Sequence, residues 1–252
     1  MIRLDNIKLA FGNRTLISDA SAHFTMGEMV ALLGRNGTGK STLLRAIVGL
    51  GTAQSGDIYI AGDNAKELSA SQRAERIAYV NTERVDVDAL TVRELVSIGR
   101  SPYTNWMGRL TAKDHEIVDQ AMLKVGVAPF AERRVETLSD GECQRAMIAR
   151  ALAQQTPIII LDEPTSFLDL PNRYELCRLL SDLAHKEKKC ILFSTHELDI
   201  ALSLADSIAL VDTPRLVHLP TTEMITSGNI ERLFNSDAVS FDATTGAIRL
   251  RQ

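Results

Sequence analysis

The sequence lacks any hydrophobic run long enough to cross a bilayer, since a membrane-spanning helix needs about 20 consecutive apolar residues. Its N-terminal stretch, MIRLDNIKLAF, alternates apolar with polar residues, which is typical of a strand rather than of a signal peptide. If the protein works at a membrane, we therefore expect another subunit to supply the membrane-spanning part.

Cysteines are few, and basic residues do not outnumber acidic ones. Cys143, Cys177 and Cys190 are widely separated and lack the spacing of metal ligands, so we expect reduced thiols in a cytoplasmic protein. The chain has 28 basic and 32 acidic residues, a formal net charge of −4, and no basic stripe. Binding that neutralises nucleic acid phosphates needs such a stripe, so we expect no nucleic acid partner.

What the sequence does contain is an alternation of strand-like and helical segments, in a composition that is 45% hydrophobic and 24% charged. The segments are the strands 28–33, 157–161, 190–195 and 207–212 and the helices 41–50, 171–186 and 197–205. This alternation predicts an α/β fold with a mostly parallel sheet covered on both faces. Residues 2–9 and 15–24 predict a further pair of strands, and a mostly helical block that extends to residue 155 interrupts the alternation.

The segment GRNGTGKS, residues 34–41, fits the spacing G-x-x-x-x-G-K-[ST] of a phosphate-binding loop and lies between a predicted strand and a predicted helix. Glycines let backbone N–H groups approach a phosphate, and the helix N-terminus adds the positive end of a dipole. We expect Lys40 to contact the β- and γ-phosphates and Ser41 to offer its hydroxyl to Mg²⁺. A glycine-rich turn that fits by chance is the alternative. The predicted phosphate-binding residues are Gly34, Asn36, Gly37, Gly39, Lys40, Ser41 and Thr42.

Two acidic residues follow the apolar strand 157–161, at the sheet edge where ligands gather. We expect Asp162 to hold the Mg²⁺ shell and Glu163 to orient or deprotonate the attacking water. The alternative is that both acids cap the following turn. His196 comes directly after the next strand, so a contact with the γ-phosphate is predicted for it rather than a purely structural role.

Together, and in this order, these motifs resemble those of the ATP-binding subunits of ABC transporters along nearly the whole chain. LSDGE, residues 138–142, is similar to the signature of that family, which usually reads LSGGQ. SFLD, residues 166–169, is similar to its D-loop, and His196 to its switch histidine.

The resemblance implies a fold for the whole chain. It is a P-loop NTPase core with a mostly parallel sheet, an N-terminal antiparallel β subdomain and an inserted helical subdomain. Within a single ATPase domain, 1–252, the ranges 1–80 and 156–252 would form the RecA-like nucleotide-binding lobe with the β subdomain. Residues 81–155 would form the helical lobe that carries the signature.

The resemblance also implies further contacts with ATP. Phe11 matches the aromatic residue that stacks on adenine, with packing inside its strand as the alternative. In the family, two subunits pair head-to-tail and each signature closes on the ATP held by the other subunit. Ser139, Gly141 and Glu142 would then contact the ATP of the partner subunit, and Asp169 of the D-loop would join the site. A head-to-tail homodimer of this kind forms two composite sites from one sequence.

One position departs from the family pattern. Members carry a glutamine after a strand that ends in -YVPQ, where it senses Mg²⁺ and touches the membrane subunit. Here the sequence reads YVNTE, residues 79–83, so Thr82 occupies that place and Glu83 follows it. Thr82 is shorter than glutamine, and Glu83 near a triphosphate would need the metal between them. Either Thr82 or Glu83 is expected to serve as the metal-sensing residue.

Residues 91–122 narrow the resemblance, because their TV-x-EL-V-x-x-GR-x-P pattern is similar to that of importer ATPases for iron–siderophore complexes, haem and cobalamin. This implies hydrolysis of ATP that powers uptake through a separate polytopic permease dimer, with a substrate-binding protein as an indirect partner. It places the protein in the cytoplasm, peripherally on the inner face of the cell membrane. The alternative is a soluble ATPase of the same class that acts on nucleic acid or ribosomes.

Overall fold

Residues 1–81, 87, 89–166 and 168–250 are described by the computed structural model of the chain. In these ranges the strands are β1 (Ile2–Phe11), β2 (Arg14–Phe24), β3 (Met29–Leu33), β4 (Ser55–Ile60), β5 (Asp63–Asn64), β6 (Ile77–Val80), β7 (Ile158–Leu161), β8 (Cys190–Thr195), β9 (Ser207–Asp212), β10 (Arg215–Pro220), β11 (Val239–Asp242) and β12 (Ala247–Leu250). The helices are α1 (Lys40–Ile47), α2 (Ala70–Ala74), α3 (Val92–Ser97), α4 (Ala112–Lys124), α5 (Asp140–Ala153), α6 (Leu170–His185), α7 (Leu198–Leu204), α8 (Thr221–Thr226) and α9 (Asn229–Phe234).

A six-stranded sheet with the order β10-β9-β3-β8-β7-β6 forms the centre of the molecule. Its strands are parallel except β10, which pairs antiparallel with β9 at one edge. β3, β7 and β8 are buried along their whole length, which explains why their sequences are continuous apolar runs rather than alternating ones. The predicted α/β fold with a mostly parallel sheet is confirmed.

Two details of this core differ from the prediction. β10 was not predicted, because as a half-exposed edge strand its segment, RLVHLP, has neither a continuous apolar run nor a clear alternation. α1 ends at Ile47 rather than at residue 50. Gly49 causes this early end, since it adopts a left-handed φ of 78° and turns the chain away from the helix axis.

The N-terminal strands form a second, four-stranded antiparallel sheet with the order β2-β1-β4-β5. β1 and β2 are longer than predicted, because the pairing continues up to Phe11 and Arg14 on either side of the two-residue turn. Ile2, Leu4 and Phe24 are fully buried and belong to the same apolar cluster as Val30 and Leu32 of β3. The antiparallel sheet is therefore packed onto the central sheet and places Phe11 at its rim.

The helices α3, α4 and α5 carry the apolar positions that predicted a helical block. Their buried residues, such as Val92, Val118 and Ala146, share one apolar cluster with Ala31 and Phe193 of the central sheet. The apolar core is thus continuous from the sheet into these helices. The interpretation of residues 81–155 as a separate lobe stays a prediction.

A buried ion pair between Arg100 and Asp114 connects α4 with the end of α5. Arg100 donates from Nε to Asp114 Oδ1 at 2.8 Å and from Nη1 to the backbone oxygen of Ala153 at 2.8 Å. Thr111 donates to Asp114 Oδ2 from its backbone nitrogen at 2.9 Å and from its hydroxyl at 2.6 Å. These hydrogen bonds from Thr111, and then the guanidinium of Arg100, lower the pKa of Asp114 to about 2. The carboxylate therefore stays charged and holds α4 against the end of α5.

We expect Asp114→Asn to lower the free energy of unfolding by about 3 kcal/mol at neutral pH, because it leaves the buried charge of Arg100 uncompensated. The folded pKa lies below the ordinary value of 3.8, so this stabilisation is present above that pH and is lost as the pH falls towards about 2. Denaturant unfolding at several pH values measures both effects.

The matched control for this prediction is Asp119→Asn on the same helix. Asp119 pairs with Arg93 at 2.5 Å, but its side chain is 50% exposed, so its loss should cost less than about 1 kcal/mol. Equal losses in the two variants would contradict the assignment of Asp114 as the residue that holds α4 in place.

Candidate functional site

The loop of residues 34–41 joins the buried strand β3 to α1, as the motif predicts. Gly37 adopts a left-handed φ of 76°, and a Cβ built there would meet no protein atom within 4 Å. Gly37 therefore leaves its backbone open to an approaching group, which is what a phosphate-binding loop requires. The residues present fit a nucleotide phosphate at this loop.

Lys40, the first residue of α1, is 5% exposed and reaches back over the loop. Its Nζ donates to the backbone oxygens of Gly34 at 2.9 Å and Arg35 at 3.4 Å. The same Nζ lies 3.2 Å from Glu163 Oε1. A buried cation is costly unless it is paired, so Lys40 links the phosphate-binding loop to the end of β7.

Asp162 and Glu163 lie together at the carboxyl end of β7, beside the end of β8. The parallel register that pairs Leu161 with Phe193 brings the next residue of β8, Ser194, opposite Asp162. Ser194 donates from its hydroxyl to Asp162 Oδ1 at 2.6 Å and accepts from the backbone nitrogen of Glu163 at 2.8 Å. One serine therefore fixes the positions of both acidic residues.

The carboxylate of Glu163 contacts two other predicted site residues, Lys40 of the phosphate-binding loop and His196 after β8. Its Oε1 pairs with Lys40, and its Oε2 lies 2.9 Å from Nδ1 of His196 and 3.1 Å from the hydroxyl of Ser166. Burial alone would raise the pKa of Glu163, but the electrostatic effects of Lys40 and then His196, together with hydrogen bonds from Lys40 and Ser166, outweigh burial and lower it. Glu163 is thus an ionised acceptor at neutral pH. Its backbone φ of 45° is strained for a residue other than glycine, as is common at functional sites.

Phe11 stands at the rim of a cleft of about 480 Å³ next to the phosphate-binding loop. The cleft is lined by Phe11, Arg14, Leu16, Asn36, Gly37, Gly39, Lys40, Ser41, Thr42 and Glu163. Because the side chain of Phe11 is 78% exposed, it is not used for packing inside its strand. An aromatic face at one end and a cationic loop at the other suit a ligand with a base and a phosphate chain.

A larger groove, of about 810 Å³, is lined by Lys113, Lys124, Lys189 and neighbouring residues of α4 and of the segment before β8. None of the phosphate-binding residues lines it. The chemistry of the lining residues, rather than the size of the cavity, therefore identifies the candidate site.

The second predicted motif begins the helix α5, and none of its residues lines the cleft. Ser139 is the exposed N-cap, and its hydroxyl accepts from the backbone nitrogen of Glu142 at 3.3 Å and donates to Glu142 Oε2 at 3.0 Å. The hydrogen bond from the backbone nitrogen of Ser139 lowers the pKa of Glu142, which is therefore an anion. Ser139, Gly141 and Glu142 are thus exposed or half-buried at a helix N-terminus outside the site of their own chain.

Asp169 caps the next long helix, α6, close to this motif. Its Oδ1 accepts from the backbone nitrogen of Asn172 at 3.1 Å and from the side-chain amide of Asn172 at 2.6 Å. A Cβ built on Gly141 would lie 3.4 Å from Leu168, the residue before Asp169. Gly141 of LSDGE and Leu168 of SFLD are therefore neighbours, although more than 20 residues separate the two segments in the sequence.

Sequence reasoning missed several residues of the site. Ser194 and Ser166 were not predicted, yet both hydrogen bond to the acidic pair. Arg14 and Leu16 of β2 also line the cleft. Ser194 had a signal that could have identified it, since it is the first polar residue after the apolar run CILF and stands two residues before His196.

The metal predictions can be placed only in part. Thr82 and Glu83 lie outside the described residues. In the described ranges, no three His, Cys, Asp or Glu side chains lie close enough to hold a metal by themselves. Mg²⁺ in nucleotide sites is usually held by one or two protein groups together with phosphates and waters, and Ser41 with Asp162 would fit such a partial set.

Comparison with known proteins identifies relatives that are similar in sequence along most of the chain. Residues 17–166 match the ABC transporter family. The chain is 34% identical over its whole length to an uncharacterized ABC transporter ATP-binding protein of Methanocaldococcus jannaschii, of which it covers 87%. It is 36% identical, over 83% of its length, to a petrobactin import ATP-binding protein of Bacillus anthracis, of which it covers 77%. It is 38% identical, over 92% of its length, to a cobalamin import ATP-binding protein of Halobacterium salinarum, but spans 58% of that relative.

Solved structures that superpose on this chain include proteins of the same kind. A chain of an ABC transporter assigned to the metal-chelate type, in an inward-facing conformation, superposes with a TM-score of 0.82 at 29% identity, covering 92% of this chain and 88% of that one. A dimeric, post-hydrolysis ATP-binding cassette bound to ADP and Pi superposes with a TM-score of 0.76 at 25% identity, covering 88% and 99%. None of the helices in the described ranges is long and apolar enough to cross a membrane.

Proposed function

The chain belongs to the ABC transporter family, and from that premise we propose that it is the ATP-hydrolysing subunit of an importer. It would power uptake of a chelated-iron compound or cobalamin through a separate membrane permease. The observation that carries the ATPase part of this proposal is the carboxylate of Glu163, held between Lys40 and His196 at the end of β7.

We propose a task for each of these residues on the basis of their contacts. Lys40 is the cation that would bind the β- and γ-phosphates, and its ion pair with Glu163 would then give way to the contact with phosphate. Glu163, released from Lys40 but still beside His196, would accept a proton from the attacking water. His196 would orient Glu163 and contact the γ-phosphate. Bound Mg²⁺ would neutralise developing charge on the phosphates, with Ser41 and Asp162 as its protein partners.

The signature residues belong to the same proposal through a second copy of the chain. Ser139 and Gly141 lie at the N-terminus of α5, outside the cleft of their own chain. A head-to-tail homodimer would place them against the ATP held by the loop 34–41 of the partner subunit, with Asp169 nearby. Glu142 is an anion bonded to Ser139, so it would support the helix N-terminus rather than bind phosphate directly.

The transported compound is inferred from the relatives. The petrobactin and cobalamin import proteins are ATP-binding proteins of importers, and the similarity covers most of this chain. We therefore propose a permease dimer as the membrane partner, a substrate-binding protein as an indirect one, and a peripheral position on the cytoplasmic face of the membrane.

Purification from detergent-solubilised host membranes tests the importer function. An affinity-tagged full-length chain should retain a polytopic permease, and ATP hydrolysis by the complex should rise when the permease is loaded through its substrate-binding protein. Co-sedimentation with ribosomes or DNA in place of a permease would contradict the importer function and support the soluble ATPase instead.

Phe11 provides a separate test of how the nucleotide binds. We expect Phe11→Ala to raise the KM for ATP about tenfold with little change in kcat, because stacking of one base is worth about 1 to 3 kcal/mol. Inhibition by inorganic tripolyphosphate, which has no base, should not change. Trp106→Ala removes an exposed aromatic side chain that does not line the cleft and serves as the control. A weaker inhibition by tripolyphosphate in Phe11→Ala would contradict stacking.

A further inference from the structure

Arg173, on the first turn of α6, joins the two loops that carry Glu163 and His196, although it belongs to none of the motifs described above. Its Nη1 forms an ion pair with Glu197, and its Nη2 donates to the backbone oxygen of Leu168 at 3.2 Å. Glu197 in turn accepts from the hydroxyl of Thr165 at 3.2 Å. We call these four residues, Arg173, Glu197, Thr165 and Leu168, the Arg173 clamp.

Two residues of the clamp are close in sequence to Glu163 and His196. Glu197 follows His196 in the sequence, and Thr165 follows Glu163 by two residues. The hydrogen bond between Thr165 and Glu197 and the 2.9 Å contact between Glu163 and His196 therefore connect the same pair of loops. A change in the distance between these loops would move Glu163 and His196 relative to each other.

The clamp also reaches the D-loop. Leu168, whose backbone oxygen accepts from Arg173, directly precedes Asp169 and packs near Gly141 of the LSDGE segment. Arg173 thus contacts both the loop after β8 and the segment that meets α5. Few other side chains could do so, because the guanidinium has several donors in one rigid plane.

Stability alone does not explain an arginine at this position. The side chains of Arg173 and Glu197 are 24% and 17% exposed, so the pair is largely removed from water. Nε of Arg173 is buried and has no hydrogen-bond partner among the described residues, which costs about 1 to 3 kcal/mol. A well-packed apolar pair of similar volume often stabilises as well as a buried ion pair does. What the arginine adds is a defined position for Glu197 and for the oxygen of Leu168.

The neighbouring thiol of Cys177 does not compete for the guanidinium. Burial, and after it the charge of Glu197, raise the pKa of Cys177 to about 12, so the thiol is neutral. Glu197 is therefore the anionic partner of Arg173 within the described part of this cluster.

We propose that Arg173 is a positioning residue for ATP hydrolysis. It holds the loop that carries His196 and the segment that carries Asp169 in place relative to Glu163. This inference rests on the proposed ATPase function. Arg173 does not line the cleft, so it should influence the rate of the chemical step far more than the binding of ATP.

The test compares steady-state ATP hydrolysis by the full-length chain with substitutions in the clamp. Arg173→Ala should lower kcat about tenfold and change the KM for ATP by less than about twofold, because a small misplacement of catalytic groups slows the reaction without weakening binding. Arg173→Lys, which keeps the charge, should recover part of the loss. Glu197→Gln should resemble Arg173→Ala, and the double variant should lose little more than either, since both substitutions break one contact. Arg178→Ala, an exposed arginine on the same helix, is the matched control.

Each outcome decides for or against the clamp. A kcat for Arg173→Ala equal to that of Arg178→Ala overturns the proposal, as do fully additive losses in the double variant. If Arg173→Ala does not fold, Arg173→Lys and Glu197→Gln decide by the same comparison of kcat with KM. If the unmodified chain hydrolyses no ATP, alone or with its permease, the proposed function fails and the clamp with it. If only the proposal about Arg173 is wrong, the unmodified chain still hydrolyses ATP.

Discussion

Replacing Glu163 by glutamine is expected to leave ATP binding intact while lowering kcat by about 10² to 10⁴-fold, the range attributed to a general base. The variant keeps the shape of the side chain but can no longer accept a proton. It also removes the ion pair with Lys40, so Lys40 is free to bind phosphate and affinity should not fall. Because ATP would then bind without being hydrolysed, Glu163→Gln should accumulate as an ATP-bound dimer. Single-turnover hydrolysis and size-exclusion chromatography with ATP measure the two effects.

The control for this prediction is Glu132→Gln, which alters an exposed carboxylate that pairs with Arg93 and does not line the cleft. Its kcat and its elution volume should equal those of the unmodified protein. An unchanged kcat in Glu163→Gln would show that another group takes the proton. A Glu163→Gln variant that stays monomeric with saturating ATP would count against composite sites in a dimer.

Mixing two inactive variants is expected to restore activity. Lys40→Ala removes the cation of the phosphate-binding loop, and Ser139→Arg places a bulky side chain where the signature would meet the ATP of the partner subunit. Each variant alone should lose about 10²-fold or more of the activity, as is typical when a group that stabilises phosphate charge is removed. In an equimolar mixture, half of randomly formed dimers are mixed and each holds one intact site. About one quarter of the unmodified activity should therefore return if the sites work independently.

Ser139 also caps α5, so the effect of Ser139→Arg must be separated from loss of the cap. Ser69→Arg is the matched control, because Ser69 caps α2 through the same reciprocal pair of hydrogen bonds, there with Gln72. Both substitutions should cost about 1 kcal/mol of stability, but Ser69→Arg should retain activity. No recovery in mixtures that contain mixed dimers would contradict head-to-tail pairing.

Most of the fold was predictable because its signals are local. The buried strands β3, β7 and β8 are runs of apolar residues, and the loop 34–41 has a spacing that few other structures use. β10 was not predictable, because an edge strand gains its pairing from β9 rather than from a pattern of its own. The sequence predicted that α1 stops near Gly49 and Gly51, and the helix ends slightly earlier, at Ile47, because Gly49 already has a left-handed conformation.

The candidate site was predictable in its charged residues but not in its contacts. Lys40, Glu163 and His196 are the residues of recognisable motifs, and the structure brings them together. Ser194 and Arg173 were missed, since neither stands in a motif and each acts through a partner distant in sequence.

The sequence by itself determined the parallel core, the phosphate-binding loop, the acids at the end of β7 and the family, since each depends on the order and spacing of residues along the chain. Only the tertiary structure decided that Glu163 is shared by Lys40 and His196, that Phe11 is exposed at the rim of the cleft, and that the LSDGE segment stands outside the site of its own chain. The physical reason is that these relations depend on strand register and on side chains from distant segments, which become neighbours only when the sheet has formed.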